Sequence, residues 1–134
     1  MIKIEYNLGT YDDLLKTWAK ALNCKIKDGR ITIPKEFGVG YMRIMKLPNG
    51  LQAVISDFKL NKDLMIQRKK NDLDNFILRF DEIISPTNSS ENSALNTDAG
   101  KNAVFLMSSK FDWIFFAQSD TQIKSINISF SRQW

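Results

Sequence analysis

Short runs of β-forming residues, separated by turn signals, follow one another at close spacing through most of this chain. That rhythm points to an antiparallel sandwich or barrel. Ile31-Thr32-Ile33 is the first run and stops at Pro34. Phe37-Gly38-Val39-Gly40 permits a sharp change of direction. Tyr41 to Leu47 alternates, Pro48-Asn49-Gly50 is a strong turn, and Leu51 to Leu60 returns, so a hairpin is expected there. Leu64 to Lys70 is expected to pair back on it after the turn Asn61-Lys62-Asp63, and Asn75 to Ile84 follows the turn at residues 71–74. A polar, turn-rich stretch from Ser85 to Asn102 reads as one long loop. Strands resume at Ala103 to Ser109, Trp113 to Gln118 and Gln122 to Ser131.

One segment breaks the strand rhythm. Residues 10–23 carry Tyr11, Leu14, Leu15, Trp18 and Leu22 on a single helical face, with Lys16 and Lys20 opposite. Thr10 is a good N-cap, with Asp13 three residues on. The chain thus divides into an N-terminal segment, 1–27, and a β region, 28–134. The 134 residues suffice for one domain with its own core.

No histidine occurs anywhere. This excludes Ser-His-Asp and Cys-His catalysis and every imidazole-held metal. The acidic pairs Asp72/Asp74 and Asp81/Glu82 read as turn or strand-end residues, so neither a metal nor another cofactor is expected. Cys24 is the single cysteine, which suits a reducing cytoplasm and excludes an internal disulfide. No apolar run reaches the ~20 residues that cross a bilayer, so no membrane partner is expected. The net charge is +4, and the basic residues are scattered. Arg68-Lys69-Lys70 is the one tight basic cluster and reads as a solvated strand end, or else as a phosphate contact.

Three stretches carry a resemblance. They are Ile33-Pro34-Lys35-Glu36-Phe37-Gly38-Val39-Gly40-Tyr41-Met42-Arg43, Leu47-Pro48-Asn49-Gly50-Leu51, and the final run from Ile123 to Trp134. Together they resemble the N-terminal domain of AraC-type regulators from Bacteroidetes, over roughly residues 28–134. The resemblance implies a mainly β, cupin-like double-stranded antiparallel β-barrel or sandwich, here with one N-terminal amphipathic helix. It also implies an effector-sensing role. In that family two helix-turn-helix units follow and bind promoter DNA. That half is absent from this chain, so DNA is a partner only through it.

On this reading the domain is not an enzyme. It holds a small-molecule effector, an anion or a sugar, and a homodimer is a further expectation. Candidate ligand-binding residues are Tyr41, Arg43, Phe58, Arg79, Trp113 and Phe115, with Phe76 and Phe80 on the same strand as Arg79. Arg43 and Arg79 are charges set within apolar strands. Facing out, either is an ordinary solvated arginine. Facing in, its guanidinium needs an anionic partner. Alternation pairs residues on a face without saying which face is inner. Leu14, Leu15, Trp18 and Leu22 are the candidate dimer or inter-domain surface, or else simply pack on their own barrel. Two other functions fit the same pattern: a metal-independent isomerase or epimerase, and a scaffold domain with no pocket.

Overall fold

The computed structural model describes residues 1–7, 9–86 and 101–132. The protein is mainly β, as the strand rhythm predicts. In chain order the elements are β1 (Ile2–Asn7), α1 (Tyr11–Leu22), β2 (Arg30–Thr32), β3 (Gly38–Lys46), β4 (Gln52–Leu60), β5 (Leu64–Lys69), β6 (Asn75–Ile84), β7 (Lys101–Ser108), β8 (Trp113–Ala117) and β9 (Gln122–Ser131).

Two sheets face each other. The larger has the order β2-β3-β4-β9-β6-β7 and is antiparallel throughout. The smaller has the order β1-β5-β8, with β1 parallel to β5 and β8 antiparallel to it. The β3–β4 hairpin forms where Pro48-Asn49-Gly50 predicts it, with Asn49 at a φ of 62°. β5 does not pair with β4 as expected. It crosses to the smaller sheet, so a short turn here joins two layers rather than two neighbours. β1 was not expected at all, although Ile2, Ile4 and Tyr6 alternate. Of the polar stretch at 85–102, residues 87–100 lie outside the described residues, and Lys101 and Asn102 already belong to β7.

α1 starts and stops for local reasons. The Thr10 hydroxyl accepts from the Asp13 N–H at 3.2 Å, and Asn23 ends the helix in a left-handed conformation. Its whole apolar stripe is buried. Trp18 meets the Phe58 ring edge-on at 5.3 Å, in a core that includes Leu15, Leu22, Ile31, Val54 and Leu64. The face expected as a dimer surface, Leu14, Leu15, Trp18 and Leu22, therefore packs inside its own protein. At Gly40, φ is +117° and a Cβ would lie 2.1 Å from the Asp57 carbonyl oxygen. Only glycine lets β3 approach β4 this closely.

Candidate functional site

β6 alternates cleanly, and Ile77, Arg79 and Asp81 all point between the sheets. Residues two apart on a strand share a face, so Arg79 and Asp81 are placed to meet. The Arg79 Nε donates to the Asp81 carboxylate at 2.6 Å, and both side chains are buried. The sequence reading put Asp81 at a strand end, but it lies within β6 as the partner of Arg79. The Arg79 guanidinium also lies over the rings of Trp113, at 4.5 Å, and Phe115, at 5.1 Å. Those two rings come from β8 on the opposite sheet and stack on each other.

A second arginine enters from that sheet. Arg68 is only 2% exposed, which corrects its reading as part of a solvated basic cluster. Alternation on β5 turns Arg68 inward while Lys69 stays at the surface, 3.7 Å from Glu5. Arg68 Nη2 donates to the backbone carbonyls of Ser108 and Phe111, both at 3.3 Å. No carboxylate lies within ion-pair distance of it among the described residues. Between the sheets, two guanidinium groups face one buried carboxylate; the exposed Asp112, which accepts from the Lys70 N–H, acts on Arg68 from the surface.

Tyr6 of β1, Tyr11 of α1 and Asn127 of β9 complete the cluster. Asn127 sits directly opposite Arg79 in the β6–β9 ladder. Burial pushes both phenols above the ordinary tyrosine range, against the pull of the two arginines. Burial likewise lowers the Arg68 pKa, and the two tyrosines oppose that. Among the described residues, three buried polar atoms have no hydrogen-bond partner: Tyr11 Oη, Arg68 Nε and Asn127 Oδ1. All three residues line one cavity of about 20 Å³, together with Tyr6, Arg79 and Trp113. A neighbouring cavity of about 40 Å³ shares Tyr6, Arg79, Trp113 and Asn127 and reaches Ser56 and Ser125. Spaces of this size hold water-sized guests, far below the ~300 Å³ of a ligand pocket.

The predicted site residues divide between two places. Arg79, Trp113 and Phe115 converge on the polar cluster, and Phe58 lies deeper, against Trp18. Tyr41 and Arg43 point away, to the outer face of the larger sheet. Phe80 shares that face, and the Phe76 ring stacks on Phe130. Tyr41 lies under Arg30, 4.3 Å from its guanidinium, and borders an open trough of about 570 Å³ floored by Ile55, Phe80, Val104 and Ile126. Arg43 is exposed on a basic groove with Lys25, Lys27 and Arg30. Tyr6, Tyr11, Arg68, Asp81 and Asn127 were missed as site residues. The signal available in the sequence was a polar residue on the inner period of an apolar strand, as at Arg68 and Asp81.

Among the described residues no group of acidic or cysteine side chains is placed to hold a metal, and no helix is long and apolar enough to cross a membrane. No protein-family model matches the chain, and no curated protein matches it by sequence.

Proposed function

We propose that this domain is the effector-sensing module of an AraC-type transcription regulator, working in the cytoplasm without catalysis. The observation that carries this is the inter-sheet cluster of Arg68 and Arg79 with a single carboxylate, beside three unpartnered polar atoms. A buried cation is costly unless paired. Arg68 forms no ion pair among the described residues: it donates to two carbonyls, lies 6.0 Å from the Trp113 ring and feels the Asp112 carboxylate only from the surface, so a small anion, such as a carboxylate, has a stronger claim on it. Such an effector does not fit the closed interior. It enters only if Trp113 and Phe115 withdraw, and β8, which bears them, is an edge strand paired with β5 alone among the described residues. Anion binding then favours a parted arrangement of the sheets over the closed one. The effector shifts that balance only by its unequal affinity for the two states. In a full regulator, that shift is the signal passed to the DNA-binding half.

The test is a thermal-shift screen with organic acids, phosphates and neutral sugars. A ligand at one hundred times its Kd stabilises by about 2.7 kcal/mol, or roughly 10 °C in a domain of this size. Anions are expected to raise Tm, sugars are not, and Arg68→Gln is expected to abolish the response. A flat response across the library overturns the reading.

One observation favours a second reading, a scaffold domain that acts through its surface. The interior cavities are about 20 and 40 Å³, which is nearly a filled sandwich. That reading predicts the flat response.

A further inference from the structure

Among the described residues the two sheets have four edge strands, and they are guarded unequally. β2 is three residues long and places Arg30 and Thr32 at the surface. β1 carries Lys3 and Glu5 outward, and α1 packs along it. Short length, charge and a covering helix are the usual protections of a sheet edge. Among the described residues no helix covers β7 or β8, and their one charge is Lys101 at the start of β7. From Ala103 to Met107 and from Trp113 to Ala117 there is no charge and no proline. Among the described residues, β7 pairs only with β6, and β8 only with β5.

These two strands lie on the same side of the sandwich, because residues 109–112 carry the chain from one sheet to the other. Val104, Phe105, Leu106, Phe111, Ile114 and Phe116 are each between 47% and 71% exposed. Three of them are consecutive on β7, so both of its faces are apolar. A solvated edge strand alternates apolar with polar. Isolated surface apolar residues need no explanation, but a run of this kind on an open edge marks an interaction site.

We infer that this side is a homodimer interface, in which β7 pairs antiparallel with β7 of a second copy. The ladder phase supports it. The Ser109 N–H donates to the Asn75 carbonyl, so the odd-numbered residues of β7 bond β6. Asn102, Val104, Leu106 and Ser108 then turn their N–H and C=O groups to the open edge. Antiparallel pairing of a strand with itself is two-fold and self-complementary, and it closes. Centred on Phe105, it sets Val104 against the partner's Leu106 and Phe105 against the partner's Phe105. Lys101 falls opposite the partner's Ser109, so no like charges meet. The larger sheet is already antiparallel up to this edge, and its outer apolar rows, Ile126–Phe80–Val104 and Ile128–Leu78–Leu106, run on into the second copy. This interface does not depend on the sensing role.

The experiment is sedimentation of the full chain from low micromolar concentration upward, combined with single-cysteine crosslinking. Wild type is expected to sediment as a dimer, and Leu106→Lys as a monomer with an unchanged circular dichroism spectrum. In a Cys24→Ala background, Phe105→Cys is expected to form an intermolecular disulfide under mild oxidation, because directly opposed residues of a non-hydrogen-bonded pair have Cα atoms about 4.5 Å apart. Val39→Cys, exposed on β3, is the control and is expected not to crosslink. Because the register can centre one residue away, cysteines at 104 and 106 are scanned as well. A monomer throughout the range overturns the proposal. So does a dimer that survives Leu106→Lys while none of the three cysteines crosslinks, which would place the contact elsewhere.

Discussion

The side of the sandwich closed by α1 and the side left open at β7 and β8 are built by opposite rules. On the first, Trp18, Leu15 and Leu22 fill the space between the sheets with apolar atoms, and the protein needs nothing more there. On the second, the interior holds Arg68, Arg79, Asp81, Tyr6 and Asn127, with Tyr11 reaching in from the start of α1, and among the described residues three of their polar atoms are unpartnered. Dispersion and hydrophobic transfer favour one arrangement on the α1 side. Buried polar groups do not: they stabilise only while every partner is in place. The contrast separates a half filled by apolar packing from a half held by polar pairing.

The largest effect should come from the apolar side. Trp18→Ala removes the ring that meets Phe58 and is expected to cost about 4 kcal/mol in urea denaturation. A small loss would mean that the core is not anchored there.

The polar side should be nearly as sensitive to breaking its ion pair, yet tolerant of losing it whole. Asp81→Asn leaves Arg79 buried without its counter-charge and is expected to cost about 3 kcal/mol. The double variant Arg79→Met with Asp81→Leu is expected to fall within about 1 kcal/mol of wild type, or above it. Equal losses from the single and double variants would show that the pair stabilises the fold as firmly as Trp18 does.

The smallest effect belongs to Tyr11. Its hydroxyl has no partner among the described residues, so Tyr11→Phe should change stability by less than about 1 kcal/mol at neutral pH. Its signature is alkaline. A phenol whose folded pKa is raised stays neutral in the fold, while the unfolded chain ionises near the ordinary value of about 10. Stability from this group is therefore complete below about pH 10 and falls as pH rises toward the folded value, by up to about 1.4 kcal/mol per pH unit. Tyr6 adds a second contribution of the same sign. Tyr11→Phe should make the alkaline decline shallower, as read by denaturant titration at a series of pH values. An unchanged slope would mean that the phenol is not held away from water.

Much of the fold was legible because its signals are local. Thr10, the 3.6-residue stripe and Asn23 specify α1 within a few residues of one another. Pro48-Asn49-Gly50 specifies the β3–β4 hairpin in the same way. The candidate site was half legible. Arg79 stood out as a charge within an apolar strand. Arg68 did not, because Lys69 and Lys70 beside it gave it the look of a solvated cluster. Arg43 stood out as clearly as Arg79, yet it lies at the surface.

By itself, the sequence determined that the protein is mainly β with one helix, where most strands and turns fall, and that histidine chemistry is closed to it. Only the tertiary structure decided that β5 leaves its neighbours to pair with β1, which strand faces turn inward, and that Arg68 and Arg79 share one interior while Arg43 stays outside. The physical reason is the range of the forces. Caps, turns and side-chain period act over a few residues and can be read in order. A strand's face and its pairing partner are chosen by packing against segments far away in the chain, and a shift of one residue would reverse every assignment.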